Sequence, residues 1–109
     1  MRDHTTQEIM TRLPEAFLSE KAAGVEAVIQ CQFTGEDGGD WVITIKNSRC
    51  TTMPGQVANP KLTLKVSAQD FHDLITGKLN GMQAVMMGRI KVTGDIGIGM
   101  RLTSLFKKP

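Results

Sequence analysis

Apolar and polar residues alternate with a period of two along the middle of the chain. Val25, Ala27, Ile29, Cys31 and Phe33 share one parity, and Glu26, Gln30 and Gln32 take the other. After the turn-rich segment Gly35-Glu36-Asp37-Gly38-Gly39, the residues Trp41, Ile43 and Ile45 resume the alternation against Thr44 and Lys46. This spacing predicts a β-hairpin with a loop of several residues. A tight Asn47-Ser48 turn then leads to a short third strand near Arg49-Cys50-Thr51-Thr52. Leu62, Leu64 and Val66 against Thr63 and Lys65 predict a fourth strand, and Ile90 and Val92 against Arg89, Lys91 and Thr93 a fifth. Each strand is apolar on one side, which predicts a sheet with one covered face and one wet face.

Helices must supply the cover. Ile9, Leu13 and Phe17 recur at i, i+4 and i+8 with Met10 and Leu18 beside them, an amphipathic amino-terminal segment that Pro14 should kink or restart. Ser67-Ala68-Gln69-Asp70 resembles a capping box opening a helix with Phe71, Leu74 and Ile75, and Gly77 suits its left-handed end. A second short helix runs through Met82, Val85 and Met86 and stops at Gly88. The tail alternates like a strand at Ile96, Ile98, Met100 and Leu102, but Ile96, Met100, Thr103 and Phe106 also share a helical face. We read it as a helix capped by Asp95. The order α, three β, β, α, α, β, α describes an α+β domain with helices gathered on one sheet face.

At 109 residues, with 40% hydrophobic and 22% charged residues, the chain suits one globular domain. Such a chain buries about 65% of the surface its unfolded form exposes. Its apolar runs are too short for a transmembrane helix. The segment from Met1 to Glu8 carries acidic residues and no apolar stretch, so it is read as no secretory signal, and Phe106-Lys107-Lys108-Pro109 is no peroxisomal address. The expected location is cytoplasmic. Thirteen basic residues against 11 acidic ones give +2, scattered along the chain with no Tyr, one Trp and four Phe. A nucleic-acid surface would concentrate its cations and interleave aromatics, so that class is excluded.

Catalytic patterns are missing. His4 sits near the terminus and His72 stands alone in its helix, with neighbouring Asp73 on a different face. No His-Glu-x-x-His or Cys-x-x-Cys spacing supports a metal site. Cys31 lies on the apolar parity of its strand with no activating base in view, and Cys50 is placed where it could face it across the sheet. Gly94-Asp95-Ile96-Gly97-Ile98-Gly99 lacks the Lys-Ser/Thr of a phosphate loop, and Leu102 stands where a dinucleotide fingerprint needs glycine. Those glycines are read as letting a helix pack closely or leaving space beside it. No cofactor is expected. Seven methionines, with Met82, Met86, Met87 and Met100 in the last third, leave two readings open: adaptable core, or the lining of a gap that accepts an acyl chain or flat apolar molecule.

Several stretches are specific together. Asn59-Pro60-Lys61-Leu62-Thr63-Leu64, Ser67-Ala68-Gln69-Asp70-Phe71 and Thr76-Gly77-Lys78-Leu79-Asn80 with Met82-Gln83-Ala84 come in order. Gly88-Arg89-Ile90-Lys91-Val92-Thr93-Gly94-Asp95-Ile96-Gly97 and Met100-Arg101-Leu102 follow, and Pro14-Glu15-Ala16-Phe17, Glu20-Lys21-Ala22-Ala23-Gly24 and Gly39-Asp40-Trp41 precede. In order and spacing the chain resembles the sterol carrier protein 2 family. The resemblance implies an α-β3-crossover-β-α-β arrangement with a final helix, on a five-stranded, mixed, mostly antiparallel sheet. It also implies an apolar tunnel between sheet and helices that binds fatty acids, acyl-CoA, phospholipids or sterols without catalysis. Gly81 departs from the family's frequent proline, which implies a looser start to its helix.

Carried onto this sequence, the resemblance implies a lipid space lined by Phe33, Trp41 and Ile43 from the sheet and by Phe71, Leu74 and Ile75 from the capped helix. Met82, Val85 and Met86 would add the next helix, and Ile96, Met100 and Leu105 the last. A polar head group needs a partner at the mouth, where Arg101 or Gln83 could serve, while the first reading of both is solvated surface. The carboxy-terminal helix, with Arg101, Lys107 and Lys108, could dock on anionic lipid during transfer, while the first reading of those cations is ordinary pairing with the helix carboxy-terminus. The expected state is monomer or weak homodimer. The alternative function is a non-catalytic interaction or dimerisation module whose core its own side chains fill.

Overall fold

The computed structural model of the chain describes residues 5–35 and 38–107. Residues 1–4 with His4, the Glu36-Asp37 part of the first turn, and Lys108-Pro109 lie outside the described residues. Five strands form one sheet: β1 (Ala27–Thr34), β2 (Gly39–Lys46), β3 (Arg49–Pro54), β4 (Leu62–Ser67) and β5 (Lys91–Gly94). Their spatial order is β3-β2-β1-β4-β5. β1 and β4 run parallel, and the other neighbours run antiparallel. The fold is α+β, as the alternation and the order of elements implied, and its sheet is mixed and mostly antiparallel, as the family resemblance implied.

Local chemistry explains the joints. Asn47 and Ser48 both take positive φ (53° and 59°), the conformation of a two-residue turn whose twist matches the flanking strands. Lys46 therefore pairs with Arg49 and sets the β2–β3 register. Gly94 has φ of 107°, and a Cβ there would lie 2.5 Å from the Lys61 carbonyl oxygen. Only glycine lets β5 end beside that carbonyl, which accepts from the Asp95 N–H at 2.9 Å.

The helices are α1 (Thr6–Arg12), α2 (Ala68–Thr76), α3 (Gly81–Met86) and α4 (Ile96–Leu102). Each begins on a side-chain oxygen that accepts a backbone N–H: Thr5, Ser67, Asn80 and Asp95 in turn. α2 ends on Gly77 in the left-handed conformation. The first helix is shorter than the apolar spacing suggested. Pro14 lacks an N–H, so the chain passes from α1 into a 3-10 turn over Leu13–Ala16, and Phe17 is extended. Phe17 instead bridges to Phe106 near the other end of the chain, ring centroids 5.7 Å apart. The Leu18 N–H donates to Leu105 O at 2.8 Å and Lys107 N–H to Ala16 O at 2.6 Å, tying the two terminal segments together.

All four helices lie on the face defined by Ala27, Ile29, Cys31, Phe33, Ile43, Ile45, Leu62, Leu64 and Val66, all buried. Phe33 meets Phe71 edge-to-face at 5.2 Å, fastening α2 over the middle of the sheet. The opposite face is not uniformly wet. Gln30 and its cross-strand partner Val42 are buried there, under the β3–β4 connection. Gln30 Nε2 donates to Gly55 O at 3.0 Å and Trp41 O at 3.2 Å, and its Oε1 accepts the Val57 N–H at 2.9 Å. A residue on the polar parity thus holds a crossover loop, with its amide fully used. Cys31 and Cys50 do not face one another: β2 lies between their strands, with Cys31 paired to Trp41 and Cys50 to Ile45.

Candidate functional site

The helical layer is unevenly packed. α1 and the turn after it lie against β3, and α2 covers the centre, but over β4 and β5 a cavity of about 440 Å³ remains. Its floor is Leu64 and Val92, which pair across the two strands, with Ile90 beside them. Leu74 closes it from α2, and Asn80, Gly81, Met82, Val85 and Met86 contribute from α3 and its cap. Ile96, Gly99, Met100 and Leu102 form the α4 wall, followed by Thr103.

This chemistry is almost wholly apolar. Asn80 and Thr103 are the polar side chains among the lining residues, and no charged residue is among them. Met82, Met86 and Met100 are 66%, 84% and 64% exposed, so the methionines form a mouth rather than a sealed core. A volume of 440 Å³ lies within the roughly 300–1,000 Å³ typical of small-molecule sites. Gly99 helps create it: a Cβ there would reach only ordinary contact, 3.6 Å, with Leu62 and Val92.

Of the residues expected to face a ligand, Leu74, Met82, Val85, Met86, Ile96 and Met100 come together in this cavity. Phe33, Ile43, Phe71, Ile75 and Leu105 do not line it, being buried in the core, and Trp41 packs half-buried against that core. The physical reason lies in the sheet's width. α2 fills the space over the central strands through Phe71, which leaves room only toward β5. Leu105 turns inward in the 3-10 turn Thr103–Leu105 that follows α4, next to the chain-terminal backbone ties. Leu64, Ile90, Val92, Gly99 and Leu102 were missed as cavity walls. The available signal was positional, since both methionine-bearing helices flank β5 in the chain.

A second, mostly polar cavity of about 390 Å³ adjoins the first. The two share Leu74, Asn80, Gly81 and Thr103. Gln83, one of the expected head-group partners, lines this polar space together with Lys78, whereas Arg101 lines neither cavity.

Elsewhere the reactive groups are quiet. Burial pushes the Cys31 thiol up to about 12 and the Cys50 thiol up to about 11, so both are protonated at neutral pH. His72 Nδ1 lies 3.9 Å from Asp73 Oδ1, beyond hydrogen-bond reach, and Asp73 accepts from Gln69 Nε2 at 3.1 Å. Among the described residues, no three His, Cys, Asp or Glu side chains converge as a metal site would require. Nor is any of their helices long and apolar enough to cross a membrane.

Comparison with known proteins gives this geometry its relatives. Human sterol carrier protein 2 is 30% identical over 90 residues, which is 83% of this chain but 16% of the human protein's length. A region of the inverting sec-alkylsulfatase Pisa1 from Pseudomonas sp. superposes with a TM-score of 0.88 at 20% identity, covering 97% of this chain and 17% of that one. Sterol carrier protein-2 from Aedes aegypti, solved in complex with palmitate, superposes with a TM-score of 0.68 at 17% identity, covering 93% and 94%. The match that spans almost the whole sequence is to the SCP-2 sterol transfer family, over residues 7–107, and the chain belongs to that family.

Proposed function

We propose that this chain binds one apolar lipid at a time in the cavity over β4 and β5 and hands it on at a membrane surface, without catalysis. The ligand class is a fatty acid, fatty acyl-CoA, phospholipid or sterol. The observation that carries the reading is the 440 Å³ cavity whose wall has only Asn80 and Thr103 as polar side chains. Family membership and the palmitate held by the Aedes aegypti relative support it. The energetics also suit an acyl chain. About 15 methylenes at about 0.8 kcal/mol each give about 12 kcal/mol, and an association cost of about 4 kcal/mol leaves a micromolar constant.

The same wall supports the absence of catalysis. An acyl-transfer site needs a nucleophile with a base in reach. No His, Cys, Asp or Glu lines the cavity, and both thiols are buried and protonated. The cytoplasm is the proposed site of action.

Release requires part of the wall to move. The carboxy-terminal helix is poorly suited to it, because Leu102, Leu105 and Phe106 are buried and backbone bonds tie that end to residues 16 and 18. α3 has one buried residue, Ala84, and turns Met82, Val85 and Met86 outward. α3 is therefore the lid in this account, and its exposed methionines are the surface that meets lipid, with the free protein a monomer. The alternative of a filled-core interaction module is disfavoured by the volume left over β5.

Titration with a fluorescent C16 fatty acid tests the function. The expected result is saturable one-to-one binding, weakened at least about tenfold by Val85→Asp, which puts a charge in the apolar wall. Val85 is exposed, so the variant should still fold. Binding that is absent, or unchanged by the variant, would contradict the proposal.

A further inference from the structure

The apolar cavity ends against a polar one, and that junction has the form of an amphiphile. The two spaces share Leu74, Asn80, Gly81 and Thr103, so they lie side by side. Gly81 lines both, and a Cβ there would come 3.3 Å from Leu74 Cδ1, closer than ordinary contact, so glycine leaves the boundary between them uncrowded. The polar cavity carries Lys78, the one charged residue lining either space among the described residues.

Lys78 is held at that position by its backbone. Gly77 ends α2 in the left-handed conformation, and the Lys78 and Leu79 N–H groups both donate to Asp73 O, at 2.8 and 3.1 Å. Asp70 is bound by Arg89 at 2.5 Å and Asp73 by Gln69, and the ion pairs among the described residues do not include the Lys78 ammonium. Asn80 spends its Oδ1 on the Gln83 N–H at 3.0 Å, which leaves its amide NH₂ to donate. Gln83 and Thr103 add further donors to the same wall. A set of donors around one cation, with an apolar chamber behind it, selects an oxyanion on an alkyl tail.

We infer that the polar cavity is the head-group site for an anionic, single-chain lipid, whose carboxylate or phosphate oxygens meet Lys78 while the tail runs past Gly81 into the methionine-lined cavity. The inference rests on the lipid-binding function proposed above and extends it to ligand selection. Lys78 is a compact point charge that gives no bidentate geometry, so it recognises negative charge without distinguishing the two oxyanions.

Equilibrium dialysis with palmitate, hexadecyl phosphate and hexadecanol separates the possibilities, using wild type, Lys78→Gln, Lys78→Glu and Arg101→Gln. Lys78→Gln should weaken the anionic ligands about threefold and Lys78→Glu about tenfold, as expected for a partly exposed ion pair. Hexadecanol should bind all four proteins within about twofold, and Arg101→Gln should behave as wild type. A loss confined to palmitate narrows the head group to carboxylate, and one confined to hexadecyl phosphate narrows it to phosphate. Equal losses for all three ligands would show Lys78 acting only on the end of α2 and overturn the inference, as would no loss at all. Failure of wild type to bind even hexadecanol would instead sink the lipid-binding function itself.

Discussion

At Gly99 one missing side chain sets how much room a ligand has. A Cβ would sit 3.6 Å from Leu62 and Val92, so a larger residue fits the helix but must grow into the cavity. Gly99→Leu should lower affinity for a C16 fatty acid about tenfold, because it displaces about two methylenes of ligand. It should raise thermal stability at the same time, since it fills space and removes a helical glycine. Opposite signs in the two measurements distinguish filling from disruption; a fall in both would contradict this assignment of the cavity. Leu102 offers the contrast. It is 1% exposed and serves both core and cavity, so Leu102→Ala should cost about 2–5 kcal/mol in denaturant unfolding. The family resemblance carried Met82, Val85, Met86, Ile96 and Met100 onto a lipid space, and these residues line the cavity. Phe33 and Phe71 were carried over in the same way and lie in the core instead, because inward-facing aromatics look the same in sequence whether they line a space or close it. Their edge-to-face contact closes it.

Between elements, α3 and α4 each bury one residue, but α4 runs on into the buried Leu105 and Phe106 and their backbone ties, which leaves α3 the less anchored helix. Its one buried residue and its exposed methionines contrast with α2, which buries Ala68, Phe71, Leu74 and Ile75. Backbone amides of α3 should exchange with solvent far faster than those of β1, and a bound fatty acid should slow them. Exchange in α3 unaffected by ligand would contradict its role as lid. The crossover loop gives a second element-scale test. Gln30→Ala removes the acceptor of the Val57 N–H and a donor to Gly55 O, which should cost about 1–3 kcal/mol and expose the Val57 amide to exchange. The caps at Ser67 and Asp95 and the Asn47-Ser48 turn were legible because a few adjacent residues decide them. Gln30 was not legible: its parity said solvent, and only the loop folding back over β1 makes it interior.

The whole molecule couples the titration of two buried thiols to stability, with Cys31 carrying the larger shift and Cys50, raised to about 11, the smaller. The Cys31 thiol ionises near 9 when unfolded and near 12 when folded, because burial disfavours the thiolate. Its contribution is fully present below pH 9 and is lost as pH rises toward 12, at up to about 1.4 kcal/mol per pH unit. Cys31→Ala should reduce that alkaline slope in denaturant midpoints and leave the smaller Cys50 part below about pH 11; an unchanged slope would place the titration elsewhere. The α+β layering was readable from alternation and element order, whereas the strand order β3-β2-β1-β4-β5 was not, because pairing across the sheet joins residues far apart in the chain. The uneven helical cover was not, because it depends on where α2 settles against five strands. That unevenness is the centre of the account. It leaves an apolar cavity over β4 and β5 with a methionine mouth, and the function follows from whether lipid occupies it. Native mass spectrometry of the purified protein, with lipid extraction from the same sample, tests this most directly. The account predicts a one-to-one lipid adduct, or an apo mass that gains one fatty acid on incubation. An apo mass that gains no fatty acid, acyl-CoA, phospholipid or sterol would contradict it.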